Sequence, residues 1–405
     1  LSKVIVIGAG PAGMMAALQA AKKHDVILLD GNERIGKKLF ITGKGRCNVT
    51  NAKDISEFFE YIPGNPHFLY SSLYSFTNED TINFFENEGI KLKTERGDRV
   101  FPESDKSSDI IRGLSNALSR TNVKIRLNSK VTNIKFKNNI ITALEINNEE
   151  ILSGDYFIMA TGGASYPLTG SRGEGQKFAQ MLGHNIVPLS PALVPIEIEN
   201  SETKELMGLS LKNVEVLIKE NDKKLMYKNF GEMLFTHFGV SGPLILSGSR
   251  YIEKGKKYTL HIDLKPALNL GELDKRIQKD FNKNLNKDFK NSLDELLPQK
   301  MIPLIIQRSE ILENKKVNEI TKEERKNLVK VIKDLTFEIK GLRPIAEAIV
   351  TSGGIDIKEI DPSTMKSKLI CNLSFAGEVM DVDAFTGGYN VQIAFSTGFI
   401  AGSNI

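Results

Sequence analysis

The stretch KVIVIGAGPAGMMAALQAAKKHDVILLD, residues 3–30, limits what this chain can fold into more than any other segment. It reads as a short apolar run, a glycine turn, a good helix former and a second apolar run that ends on Asp30. Gly8, Gly10 and Gly13 stand in GxGxxG spacing, which carries weight here because it follows a strand and opens a helix. Gly8 permits the tight turn, Gly10 lets the backbone approach a pyrophosphate, and Gly13 allows close helix–strand packing. The free N–H groups and positive dipole end of the helix then face the phosphates. Asp30, about twenty residues on, suits the ribose hydroxyls and disfavours a 2′-phosphate. The segment predicts a dinucleotide-binding α/β domain, with Ala9, Pro11, Ala12 and Gly31 completing the backbone cradle.

Two later segments separate FAD from NAD. GDYFIMATGGASYP (154–167) runs from a buried strand into Thr161-Gly162. LSFAGEVMDVDAFTGGYNVQIAFSTGFIAG (373–402) runs from a strand through Gly377, Glu378 and Asp381 to a glycine pair that opens an apolar helix. A pyridine-nucleotide domain completes its site within its first half. Here the suggestive turns lie hundreds of residues apart, so both ends of the chain must return to one sheet, as in FAD proteins. Gly387, Gly388, Tyr389 and Asn390 offer backbone donors at a helix start, whose partial positive charge favours the anionic reduced flavin. Val131 opens a strand where such flavoproteins meet the adenine through backbone groups.

The chain has 405 residues, 40% of them hydrophobic and 26% charged, enough for two or three domains. Its net charge of +4 comes from scattered lysines, so nucleic acid is not indicated. Cys47 and Cys371 are its two cysteines, in no metal or disulfide spacing, which points to a reducing cytoplasm and no metal site. No segment has the length and apolarity of a membrane span.

Between the two ends, alternation dominates from PALVPIEI (191–198) through KYTLHIDL, and 271–335 turn helical. The expected organisation is an FAD-binding domain from 1–190 and 346–405, a β-rich insert from 191–270 and 336–345, and a helical insert from 271–335. The fold class is α/β, a two-dinucleotide-type Rossmann-like domain carrying these inserts.

Candidates for the chemistry are few. His24 and His184 sit in turns after helices, His261 alternates within a strand, and His67 is ambiguous. His237, in FTHFGVSGP, lies where strand pattern gives way to a turn, a place for an acid/base or a substrate anchor. Tyr166 and Arg46 are further candidates to orient a substrate oxygen. In TGKGRCNVTN (42–51), Gly43 and Gly45 let the main chain run close to FAD, Arg46 offers charge to phosphate or flavin, and Asn48 fixes the turn. Cys47 lacks the second cysteine of a disulfide reductase and reads as a residue packed against the cofactor. There is no second strand–GxGxxG–helix unit, so NADH or NADPH docks transiently if either is the reductant.

The sequence resembles, over nearly its whole length, the bacterial NAD(P)/FAD-dependent oxidoreductases, a flavoprotein family that includes aminoacetone oxidase and a bile-acid-inducible flavoprotein reductase. The motifs carrying the resemblance are GAGPAG, GKKLFITGKGRCNVTN, DRVFPESDKS, ATGGASYPLTGSRGEG, LFTHFGVSGP, VTSGGI and FAGEVMDVDAFTGGYNVQIAFSTG. It implies an FAD domain with a β-rich and a helical insertion. GKGRCN, with Lys38 before it, then lies along FAD, and the GGYN turn meets the isoalloxazine. Asp30 stands where Glu is common in the family, and DAFTGG where Gly or His often precedes TGG.

The function expected is hydride transfer between FAD and a small organic substrate, led by NAD(P)H-dependent reduction of an activated C=C bond. An amine oxidase that makes hydrogen peroxide is the alternative within enzymes. An RNA-associated flavoprotein using the helical insert is the alternative of another class.

Overall fold

A computed structural model describes residues 1–199 and 202–405. Lys3–Ile7 is apolar on both faces because it lies inside a five-stranded parallel sheet. The spatial order is Leu373–Phe375, Tyr156–Met159, Lys3–Ile7, Asp25–Leu29 and Lys124–Arg126. The edge strand Leu373–Phe375 arrives from the far end of the chain and pairs with Tyr156–Met159. As expected, then, both ends return to one sheet. The helices Pro11–Ala20 and Tyr389–Ser403 are buried on most sides, and Met14, Met15, Tyr389 and Phe395 are core residues.

Smaller antiparallel pieces decorate this sheet. Thr50–Asn51, Arg99–Pro102 and Leu92–Glu95 form one three-stranded sheet, and Val131–Lys137, Ile140–Ile146 and Glu150–Ser153 form another. Ile186–Ala192 pairs with Val350–Ile355. All of this belongs to one compact unit made of 1–192 and 345–405.

Residues 193–344 form the second unit. Its centre is a closed antiparallel barrel of six strands: Ile196–Ile198, Gly239–Ser241, Lys224–Thr236, Ser210–Glu220, Tyr258–Asp263 and Leu335–Leu342. Closure removes the exposed strand edges that an open sheet of this size would carry. Val214, Val216, Ile218, Leu260 and Ile262 alternate inward, as the period of two requires. The helices Leu270–Asn282, Ile302–Ser309 and Lys322–Lys333 share one apolar core with the barrel, through Leu273, Ile277, Ile305 and Leu328. Barrel and helices are thus one body, where alternation followed by helical pattern had suggested two inserts. No helix among the described residues is long and apolar enough to cross a membrane.

Candidate functional site: the glycine-lined cradle

The turn after the first strand has the geometry its glycines require. Gly8 has φ +102°, and a Cβ there would stand 2.5 Å from the Ala160 carbonyl oxygen. A Cβ on Gly13 would stand 1.8 Å from the Gly8 oxygen, so helix and strand meet backbone to backbone. Gly10 is different: a Cβ there would meet nothing within 4 Å, so its bareness serves an incoming group and not packing. The Ala9 N–H donates to Asp30 Oδ2 at 2.7 Å, and Asn32 donates to Asp30 Oδ1 from its N–H and its amide at 2.8 and 2.9 Å. A carboxylate accepts at about four sites. Asp30 therefore braces the turn and retains room for a further donor.

Two helices carry their N-termini toward the same end. Gly398 and Gly402 lie against the Ala12 and Ala16 carbonyl oxygens, where Cβ atoms would stand at 2.3 and 2.2 Å. This pairing makes Pro11–Ala20 and Tyr389–Ser403 parallel and in backbone contact. Tyr389 starts eight residues ahead of Pro11 in that register, so the two N-termini are offset by about 12 Å at 1.5 Å per residue. Gly387 and Gly388 have φ +135° and +98°, and a Cβ on Gly388 would stand 2.3 Å from the Thr50 oxygen. The second helix start is thereby pressed against the 42–51 segment. Gln392, fully buried, fixes the contact by accepting from Thr50 at 2.7 Å and Thr81 at 2.8 Å and donating to the Phe76 carbonyl at 3.1 Å.

The 42–51 loop is held in unusual backbone geometry. Gly43, Lys44, Gly45 and Cys47 all have positive φ, and Gly45 has open space where a side chain would stand. Cys47 is fully buried, and burial pushes its thiol up to about 12. A thiol so placed is protonated at neutral pH and beyond the reach of a substrate. Arg46 was expected to lend its charge to phosphate, flavin or substrate. Its guanidinium instead donates to Asp105 at 2.8 Å and to Glu95, and it stacks 4.2 Å from the Phe101 ring centroid. This pairing holds both carboxyls below their ordinary range, Lys93 being the larger cause at Asp105.

Lys38 and Glu378 meet as an ion pair at 2.7 Å, although 340 residues separate them. Lys38 also donates to Ser165 at 2.6 Å. Glu378 Oε1 accepts the Thr351 N–H at 2.7 Å, and the Thr351 hydroxyl accepts the N–H groups of Ala164 and Ser165 at 2.8 and 3.1 Å. The Ala164–Ser165 end of the turn that begins at Thr161 is thus anchored. Thr351 and Ser165 escaped sequence reasoning because each is a single small polar residue in an apolar or glycine-rich run, with no periodic signal. Two buried polar atoms at the loops, Asn48 Oδ1 and Thr161 Oγ1, have no hydrogen-bond partner.

Other predicted residues fall as follows. Gly31 lies against Lys130, and an open cleft of about 320 Å³ beside it is lined by Lys130, Val131, Thr132, Asn148, Glu174, Lys177 and Phe178. Gly377 has φ +75° and donates to Thr397 at 3.0 Å, while Asp381 receives the Asn65 amide at 3.0 Å. The Tyr389 ring is buried, stacked on Tyr61 at 4.7 Å. Asn390 uses its side chain to lock the preceding turn, donating to the Ala384 carbonyl at 2.7 Å and accepting from the Ala384 N–H at 2.9 Å. Tyr166 is half-buried in the left-handed region at φ +51°, and burial raises its phenol. Such a conformation is costly for a bulky residue and clusters at functional sites. His237 lies in the second unit, exposed in the turn after Lys224–Thr236, its ring edge-on to Phe238. His184 and His261 are buried and fully partnered, with Glu359 and Ser367 and with Asp334 and Thr259 respectively.

Two helix N-termini on one side, glycines at 10 and 45 facing open space, and orphaned polar atoms beside them suit a long cofactor with phosphates at one end and a flat ring at the other. Comparison with known proteins agrees. The signature described as the HI0933-like protein Rossmann domain matches residues 2–404. A 3-dehydro-bile acid delta(4,6)-reductase of Clostridium scindens is 30% identical over 413 residues, covering 99% of this chain and 98% of that protein. A ribosomal RNA dihydrouridine synthase of Haemophilus influenzae is 32% identical over 408 residues, covering 100% and 98%. Among solved structures, a 3-ketosteroid delta1-dehydrogenase from Sterolibacterium denitrificans shares the fold at 12% identity and TM-score 0.52, covering 99% of each chain. The chain belongs to the HI0933-like Rossmann family and is an FAD-dependent oxidoreductase.

Proposed function

We propose that the chain reduces a C=C bond conjugated to a carbonyl, with NADH or NADPH as the electron source. The observation that carries this reading is the full-length likeness to two proteins whose names describe saturation of such a bond, one in a 3-dehydro-bile acid and one in ribosomal RNA. FAD supplies hydride chemistry between the nicotinamide and the β-carbon of the substrate, with a proton adding to the α-carbon. The chain positions and polarises. Gly8 to Gly13 would hold the pyrophosphate, Asp30 and Gly31 the ribose, and the Val131 cleft the adenine. Lys38, Gly43, Gly45, Asn48, Thr161, Gly162 and Glu378 would hold the rest of the cofactor, with Gly387 and Gly388 at its ring end. Tyr166 carries a phenol O–H, which burial makes harder still to ionise, and it can donate a hydrogen bond to the substrate carbonyl. His237 is the second candidate for that task or for proton delivery. Arg46 fixes the loop through Glu95 and Asp105.

A small enone and the uracil ring, whose C5=C6 bond is conjugated to the C4 carbonyl, are both substrates of this chemistry. The second relative favours the latter as an alternative to a small molecule. Anaerobic stopped-flow mixing with NADH, NADPH, enones and amines tests the reading. Flavin bleaching by a nicotinamide and reoxidation by an enone or uridine-containing RNA is expected. Bleaching by an amine alone would replace it with oxidase chemistry.

A further inference from the structure

The mild overall charge of the chain conceals an uneven division. The unit 193–344 holds 28 Lys and Arg against 23 Asp and Glu, while the rest of the chain holds 26 against 27. The whole basic excess therefore resides on the barrel unit. Within it, the hairpin of Ser210–Glu220 and Lys224–Thr236 exposes Lys212, Lys224, Lys228 and Phe230. Phe230 stands on that face 55% exposed, paired across the strands with Glu215. Of the nearby acids, Glu215 faces Lys228 at 3.1 Å, Glu220 faces Lys256 at 3.5 Å and Lys224 at 3.9 Å, and the exposed Asp222 in the hairpin turn lies 3.0 Å from His261. Glu232, further along the strand, is an exposed acid.

Lysines flank the ring on both sides. Lys212 lies at the bulge between the Leu211–Met233 and Val214–Gly231 pairs, one step beyond Phe230. At the other end, the Asn221 N–H donates to the Lys257 carbonyl at 3.0 Å, which brings the hairpin turn with Lys223 beside the 253–257 turn. Lys212, Lys223 and Lys257 are exposed and have no ion-pair partner among the described residues. From Lys224 to Phe230 the strand spans about 20 Å. An exposed ring with one unpaired lysine on one side and two on the other offers what single-stranded nucleic acid uses, bases stacking on the ring and phosphates meeting the lysines.

We propose that this hairpin face is a contact surface for single-stranded RNA that carries the reducible uracil. The proposal rests on the C=C reading above and adds the class of molecule that presents the bond. It also differs in place from a contact through the helical segment 271–335.

The test uses the full-length holoprotein, a short fluorescein-labelled oligouridine and fluorescence anisotropy. If Lys212, Lys223 and Lys257 neutralise about three phosphates, affinity should fall about 20-fold between about 50 and 200 mM salt. Replacing Lys212, Lys223 and Lys257 together by Gln should remove most of that salt dependence and most of the binding. Phe230→Ala should weaken binding roughly tenfold and leave the salt slope unchanged. No binding by the wild type at low salt, or binding untouched by the lysine replacement, overturns the proposal. So does capture by vesicles of anionic phospholipid with none by RNA. Anaerobic bleaching by NADH and by NADPH is measured on the same proteins. Bleaching without RNA binding fails this proposal alone, and RNA binding without bleaching by either nicotinamide fails the reaction reading alone.

Discussion

Replacing Gly398 by Ala sets two well-known effects against each other. In an isolated helix the change is favourable by about 1 kcal/mol, because glycine has more backbone freedom to lose. In this protein the new Cβ would stand 2.3 Å from the Ala12 carbonyl oxygen, with the Ala12 carbonyl carbon and Cα at 3.0 and 3.1 Å. An ordinary carbon–oxygen contact is roughly 1 Å longer, so the two parallel helices must separate by about that much. No side-chain rotation relieves the clash, since the obstacle is backbone. Overpacking of a core costs about 1–3 kcal/mol, and with so stiff an obstacle the upper end applies. The net loss is about 2 kcal/mol. For a unit of this size that lowers Tm by roughly 4–8 °C. Gly402→Ala, at 2.2 Å from the Ala16 oxygen, should behave alike. The double variant should cost less than the sum, because one separation of the helices relieves both contacts. Differential scanning calorimetry of the apoprotein measures all three. If either single variant raises Tm, the parallel glycine contact is not what sets the helix spacing, and the 12 Å offset of the helix starts loses its basis. FAD affinity, read from flavin fluorescence, should fall in parallel with Tm.

Other outcomes follow from the same geometry. Native protein should show one reactive thiol by intact mass after alkylation at pH 8, because Cys371 is exposed and Cys47 is buried with its thiol pushed up to about 12. Two adducts would contradict that burial. Cys47→Ser should retain FAD and turnover; loss of turnover with FAD still bound would restore Cys47 to the chemistry. Arg46→Lys should weaken FAD retention nearly as much as Arg46→Ala in equilibrium dialysis, since the fork to Glu95 and Asp105 and the Phe101 stack need a guanidinium. Burial holds the His184 imidazole below its ordinary range, against a smaller opposing effect of Glu359. The unfolded chain then binds the proton first, so stability present above about pH 6.5 is lost as pH falls through and below that value. Chemical denaturation of His184→Gln should show a flatter pH dependence between about 5 and 7, and an unchanged slope would remove His184 as the cause.

The glycine turn was legible because each of its residues meets a local demand, and local demands leave a spacing that can be read. The return of Leu373–Phe375 to the first sheet was legible for a similar reason, since a second glycine-opened helix has little use away from a cofactor. Arg46 was not. Its neighbours in sequence suggested a ligand, but its partners, Glu95 and Asp105, lie 49 and 59 residues on, and nothing local points to them. Thr351 and Ser165 were missed likewise, since their meaning comes from Lys38 and Glu378 beyond their own segments. Segment 336–345 was expected to join the strands between 191 and 270, but alternation did not reveal that Leu335–Leu342 closes a barrel by pairing with both Tyr258–Asp263 and Ile196–Ile198. Nor did an averaged charge disclose that its excess lies on one unit.

The edge strand Leu373–Phe375 also sets a timetable for synthesis. Lys3–Ile7 can pair with Asp25–Leu29 almost at once, and Tyr156–Met159 can join later, but the sheet lacks its last strand until some 370 further residues have been made. At about 5–20 residues per second that is roughly 20–75 s. The barrel, whose strands all lie between Ile196 and Leu342, is complete on the ribosome before the sheet that precedes it. During that interval the helix Pro11–Ala20, with Met14 and Met15, lacks the partner helix that later covers it. The nascent chain therefore carries an apolar surface that chaperones have reason to hold, and slowing translation late in the message should raise its aggregation more than slowing it early.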